Sequence, residues 1–114
     1  VSQHDFAALT TNAHEDWTLF AVRLHDKPGA GELRRALLQA HLEWVAAQGE
    51  QLRVAGSLRE SPEATPIGAL WVVRAADKAA VEALIATDPF TTGGLRAGWD
   101  IYHWSKALPQ PVSF

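Results

Sequence analysis

The chain has 114 residues, 47% hydrophobic and 20% charged, with a formal net charge of −3. That length suits one domain with one modest core. A negative balance without a Lys/Arg cluster argues against nucleic acid as a main partner. The lack of any apolar run of about 18 residues argues against a spanning helix. The absence of Cys removes disulfides, thiolate catalysis and Cys-based zinc sites.

Residues 1–16 are polar and mixed, and are expected to form a partly ordered lead-in to a single domain over 17–108, with a tail at 109–114. No basic-then-apolar signal pattern opens the chain, and a cytoplasmic location is expected. Trp17 to His25 reads as the first strand, with Phe20, Val22 and Leu24 on one face and Leu19, Ala21, Arg23 and His25 on the other. Asp26-Lys27-Pro28-Gly29-Ala30-Gly31 breaks it. An amphipathic helix follows from about Glu32 to Gln48, burying Leu33, Leu37, Trp44 and Val45, with Gly49 suited to end it in the left-handed conformation. Gln51 to Arg59 reads as a second strand. There Leu52, Val54, Gly56 and Leu58 share one face, and Gly56 marks a bulge or a close approach.

Glu60 to Pro66, with two Pro, is a surface loop. Ile67 to Arg74 is apolar on both faces and reads as a central strand. Asp77 caps a second helix that runs to about Thr87 and buries Val81, Leu84 and Ile85. Asp88-Pro89 and the Gly93-Gly94 pair interrupt the pattern before a last strand from Trp99 to Ser105. The order β-α-β-β-α-β is the ferredoxin-like split βαβ arrangement, an α+β fold with a four-stranded antiparallel sheet and both helices on one face. The other face needs a cover, which predicts a homodimer packed sheet to sheet.

His41 lies on the apolar side of the first helix, one turn after Leu37 and one turn before Trp44 and Val45. An imidazole there needs a hydrogen-bonding partner. It is either a core-edge histidine bonded to a backbone carbonyl or a general acid/base in a cleft. Asp88 is either a turn opener or a carboxylate that orients this imidazole. Arg34 lies two turns before His41, and either Arg34 or Arg35 is placed to hold an anionic group. Ser57 could bring a hydroxyl to the same cleft. The five His contain no HxH or HxxxH pair, so no metal site is expected. There is no P-loop, GxGxxG or GxSxG.

These pieces together resemble the YciI-like family of dimeric α/β-barrel proteins. The resemblance spans Trp17 to about Lys106. It rests on an Arg (Arg34 or Arg35) before His41-Leu42 on the first helix, on Ala55-Gly56-Ser57-Leu58 on the second strand, and on an apolar third strand. Asp88-Pro89-Phe90 and Gly94-Leu95 complete it. Ser57 stands where members often carry Pro. The resemblance implies a ferredoxin-like dimer whose active site pairs a His with an Asp, at positions His41 and Asp88. It also implies chemistry like that of a dehydrochlorinase or a muconolactone isomerase.

The expected function is therefore cofactor-free acid/base chemistry, elimination or isomerisation, on a small anionic compound, cyclic compounds included. A non-catalytic small-molecule-binding or interaction module is the alternative. A cofactor-free monooxygenase on the same barrel is a third.

Overall fold

The computed structural model describes residues 18–108. Trp17, the lead-in and the tail lie outside them. In chain order the elements are β1 (Thr18–Asp26), α1 (Gly31–Ala47), a 3-10 turn (Gly49–Gln51), β2 (Leu52–Leu58), β3 (Gly68–Ala75), α2 (Lys78–Thr87), a short α3 (Pro89–Thr92) and β4 (Arg96–His103). The four strands form one antiparallel sheet in the order β2-β3-β1-β4. This is the ferredoxin-like arrangement. None of the described helices is long and apolar enough to cross a membrane.

Period-two alternation puts Phe20, Val22 and Leu24 on the helix-covered face, opposite Val73, Trp71 and Ala69 of β3. All but Ala69 are fully buried. With Val81, Leu84 and Ile85 of α2 they form the main core. Asp77 accepts a hydrogen bond from the Ala80 N–H at 2.8 Å and so caps α2. Gly49, at φ 62°, follows α1 as expected.

Helix α1 departs from the expectation. His41 is its one buried residue among those described, and Leu33 is exposed. Leu37, Trp44 and Val45 are half-buried. The core is concentrated under α2. The later part of α1 is tied in by Trp44, whose indole N–H donates to Thr87 Oγ1 at 3.0 Å. The rest of the helix stands over the β2 side of the sheet and leaves space beneath it.

Two register shifts decide which side chains reach that space. In β2, Leu52 pairs with Val73 but Val54 pairs with Val72, so Arg53 is an extra residue. Leu52, Ala55 and Ser57 therefore face the helices, while Val54 and Leu58 turn to the open face. Val54 does not share a face with Leu52 as alternation alone would have it. The bulge sits at Arg53, not at Gly56, where a Cβ would meet open space. The second shift lies between β1 and β4. His25 pairs with Gly98 and Asp26 with Arg96, which brings Arg96 beside Asp26. The last strand thus starts before Trp99 and ends at His103, before Ser105.

At Gly68 the backbone passes so close to β1 that a Cβ would fall on the Leu24 carbonyl oxygen. Gly68→Ala is expected to cost about 1–3 kcal/mol, because backbone cannot step aside as a flexible side chain would. Urea denaturation would measure the loss. Gly56→Ala, in open space, serves as the mild control.

Candidate active site

Asp88 terminates α2 and opens α3. Its extended backbone (φ −65°, ψ 129°) follows from the proline after it, and its Oδ1 accepts from the Phe90 N–H at 3.0 Å. The same Oδ1 lies 2.7 Å from His41 Nδ1. An ionised carboxylate only accepts, so the bond requires the proton on Nδ1, and in the neutral imidazole the lone pair is then on Nε2. The Asp88 side chain is fully buried and that of His41 is 11% exposed. Phe90 stacks on the imidazole at 3.9 Å between centroids and 10° between planes, and Trp44 lies 6.2 Å away. Ring stacking and the carboxylate together fix the orientation of His41.

His41 lines a cleft of about 140 Å³ between α1 and the sheet. Arg34, Leu38 and Leu42 come from α1, Ala55, Gly56 and Ser57 from β2, and Trp71 from β3. Exposed Leu38 and Leu42 stand at its α1 side. The volume is close to that of a cavity that admits one aromatic ring.

The structure distinguishes the two arginines. Arg35 is exposed. Arg34 is directed inward, where its Nη2 and Nε donate to Asp26 Oδ2 at 2.7 and 3.2 Å, and Nη2 lies 3.5 Å from the Gly68 carbonyl oxygen. Ser57 lines the cleft from an exposed position, and its Oγ accepts from Arg59 Nη2 at 3.3 Å.

Asp26 and Arg96 were not among the sequence candidates. Asp26 Oδ1 accepts from Arg96 Nη1 at 2.7 Å, so one carboxylate holds two guanidinium groups. Arg96 Nη2 in turn lies 3.7 Å from Asp88 Oδ2. Both guanidinium groups lie over the Phe90 ring, at 4.8 Å for Arg34 and 5.0 Å for Arg96. Burial pushes the Arg96 guanidinium down from its ordinary range. Its hydrogen bond to Asp26 and the charges of Asp26 and Asp88 oppose this, while the nearby Arg34 adds to the lowering. Among the described residues no three His, Asp or Glu side chains converge as a metal site would need.

The YCII-related domain model matches residues 18–105, a span that includes every residue of this cluster. The chain belongs to the YCII-related domain family. A 5-chloro-2-hydroxyhydroquinone dehydrochlorinase from Burkholderia phenoliruptrix AC1100, solved with 2,5-dihydroxybenzoquinone, is similar in structure. It has 24% identity and a TM-score of 0.69, and the match covers 75% of this chain and 92% of that one. A proposed antibiotic biosynthesis monooxygenase from Bacteroides thetaiotaomicron VPI-5482 shares 21% identity at a TM-score of 0.54, over 88% of this chain and 98% of that one. At these identities the likeness concerns the fold. No curated protein matches the chain.

Proposed function

We propose that this family member is a small acid/base enzyme in which His41 removes a proton from a small cyclic compound. The supporting observation is the 2.7 Å bond between His41 Nδ1 and buried Asp88, which leaves Nε2 as the available base beside the cleft. The proton passes from a substrate carbon or hydroxyl to Nε2. The electron pair left behind either expels a leaving group, giving elimination, or shifts a double bond, giving isomerisation once His41 returns the proton. Asp88 keeps the imidazole in the required tautomer and balances the imidazolium that forms. Arg34 Nη1, the guanidinium nitrogen not engaged by Asp26 or Gly68, and the Ser57 hydroxyl bind the oxygen on which negative charge gathers. None of these steps calls for a redox cofactor.

The structural likeness to a dehydrochlorinase suggests the first probe. Incubation with 5-chloro-2-hydroxyhydroquinone, with chloride release followed over time, is expected to show turnover in the wild type and not in His41→Gln. Equal release by both proteins would refute the role given to His41.

The same proposal includes a homodimer through the open sheet face. Leu70 and Tyr102 are 42% and 59% exposed there, beside half-buried Ala21, Val54 and Leu58. An exposed apolar sheet face of this kind calls for a partner. Light scattering coupled to size exclusion is expected to give the mass of two chains for the wild type and of one for Leu70→Arg. Wild-type protein that runs as a monomer would remove the dimer from the proposal.

A further inference from the structure

We propose that Arg96 and Asp26 are positioning residues that set the charge state of His41 through Asp88. This rests on the His41–Asp88 pair of the proposed enzyme, but it concerns residues that reading does not use.

The two oxygens of Asp88 do different work. Oδ1 takes both hydrogen bonds, from His41 and from the Phe90 N–H. Oδ2 is buried and has no hydrogen-bond partner among the described residues. Arg96 Nη2 and Nε are in the same condition, and Nη2 lies 3.7 Å from Oδ2. Buried polar atoms without partners are costly and rare. Here a guanidinium nitrogen and a carboxylate oxygen, each without a hydrogen bond, face each other just beyond hydrogen-bond length, so the two charges remain coupled without a bond to lock them.

Arg96 cannot turn away from this position. Its side chain is 1% exposed, Asp26 holds its Nη1 at 2.7 Å, and the register shift in β4 places its backbone opposite Asp26. Asp26 is 4% exposed and is itself held from the other side by Arg34. The order of contact is Arg34, Asp26, Arg96, Asp88, His41. Two guanidinium groups and two carboxylates sum to zero while His41 is neutral. When His41 takes a proton the cluster carries one positive charge, and the substrate that lost the proton carries the matching negative one. The site therefore suits a substrate that is a neutral weak acid and leaves the first step as an enolate or phenolate. The cleft walls supplied by β2 and β3, with Ala55, Gly56, Ser57, Ala69 and Trp71, bring no further charged group to His41.

The order of contact dictates opposite effects for two substitutions. Arg96→Met removes the cation that draws on Asp88, so the carboxylate holds the imidazolium more firmly and the His41 titration midpoint rises. Asp26→Asn leaves both guanidinium groups uncompensated, so the midpoint falls. Each displacement is expected to be on the order of one pH unit. Histidine ring NMR across a pH series reads the midpoint without any substrate, with the His41 signals assigned from the His41→Gln spectrum. Arg96→Lys, which keeps the charge, is expected to restore most of the wild-type midpoint. Should Arg96→Met fail to fold, the double variant Asp26→Asn/Arg96→Met removes one charge of each sign and is expected to titrate above Asp26→Asn. Midpoints that stay fixed, or that move in the same direction in both single variants, would overturn the proposal. Loss of turnover in His41→Gln bears only on the enzyme reading, so the two fail separately.

Discussion

Replacing His41 with Gln is expected to lower kcat by roughly 10²–10⁴-fold, the range that a positioned general base contributes. Gln is the informative choice because its amide N–H can still donate to Asp88 Oδ1, where His41 Nδ1 now lies at 2.7 Å. The buried carboxylate then keeps a partner, and the loss is confined to the basic nitrogen and to ring stacking on Phe90. Stacking of this kind is worth about 0.5–1.5 kcal/mol, so thermal melting should change only modestly. KM should also change little, because Arg34 and Ser57 remain on the cleft wall. A large fall in kcat at nearly constant KM is the signature of a group that acts in the transition state. Nearly wild-type kcat in His41→Gln would refute the role given to His41, whereas the non-catalytic module predicts no turnover even in the wild type.

The element order was legible because each strand and helix carries its own period. Phe20, Val22 and Leu24 alternate, Val81, Leu84 and Ile85 recur at helical spacing, and both groups are buried as read. His41 stood out for a different reason, as a polar residue on the apolar side of its helix, and Asp88 as a carboxylate at the turn after the second helix, at the position that the family resemblance pairs with His41. Arg96 was hidden because its place depends on a register shift, which alternation within β4 cannot reveal. The same blindness put Val54 on the wrong face of β2, one residue past the bulge at Arg53. Asp26 did leave a signal. It continues the series Phe20, Val22, Leu24 at the next position on the buried face, where a carboxylate demands a cation. The proline and glycine that follow it, Pro28 and Gly29, mark a loop and mask that signal. Leu33 was misjudged because a helical stripe tells which way residues point but not how much of the sheet lies beneath them. Helix α1 spans a cleft along part of its length, and Leu38 and Leu42 at that cleft are exposed as well.

Asp88→Ala is expected to cost the largest amount of stability, about 3–5 kcal/mol, as when one member of a buried charge pair is removed and the other remains. The carboxylate is fully buried. Its loss strands the Phe90 N–H, the His41 Nδ1–H and the half-paired Arg96 guanidinium together. Asp88→Asn separates structure from chemistry. The amide oxygen can take the place of Oδ1 and accept from both donors, but the amide N–H₂ then faces Arg96 Nη2, donor against donor. Turned the other way, it donates to Nδ1 and forces the proton onto Nε2, which leaves His41 with no base directed at the substrate. Either orientation removes the negative charge that balances an imidazolium. Asp88→Asn should therefore lose less stability than Asp88→Ala in urea denaturation while its turnover falls by roughly 10²–10⁴-fold. If Asp88→Ala unfolded at the wild-type urea concentration, the buried charges would be contributing nothing net. The register shift that carries Arg96 to this corner would then need another explanation.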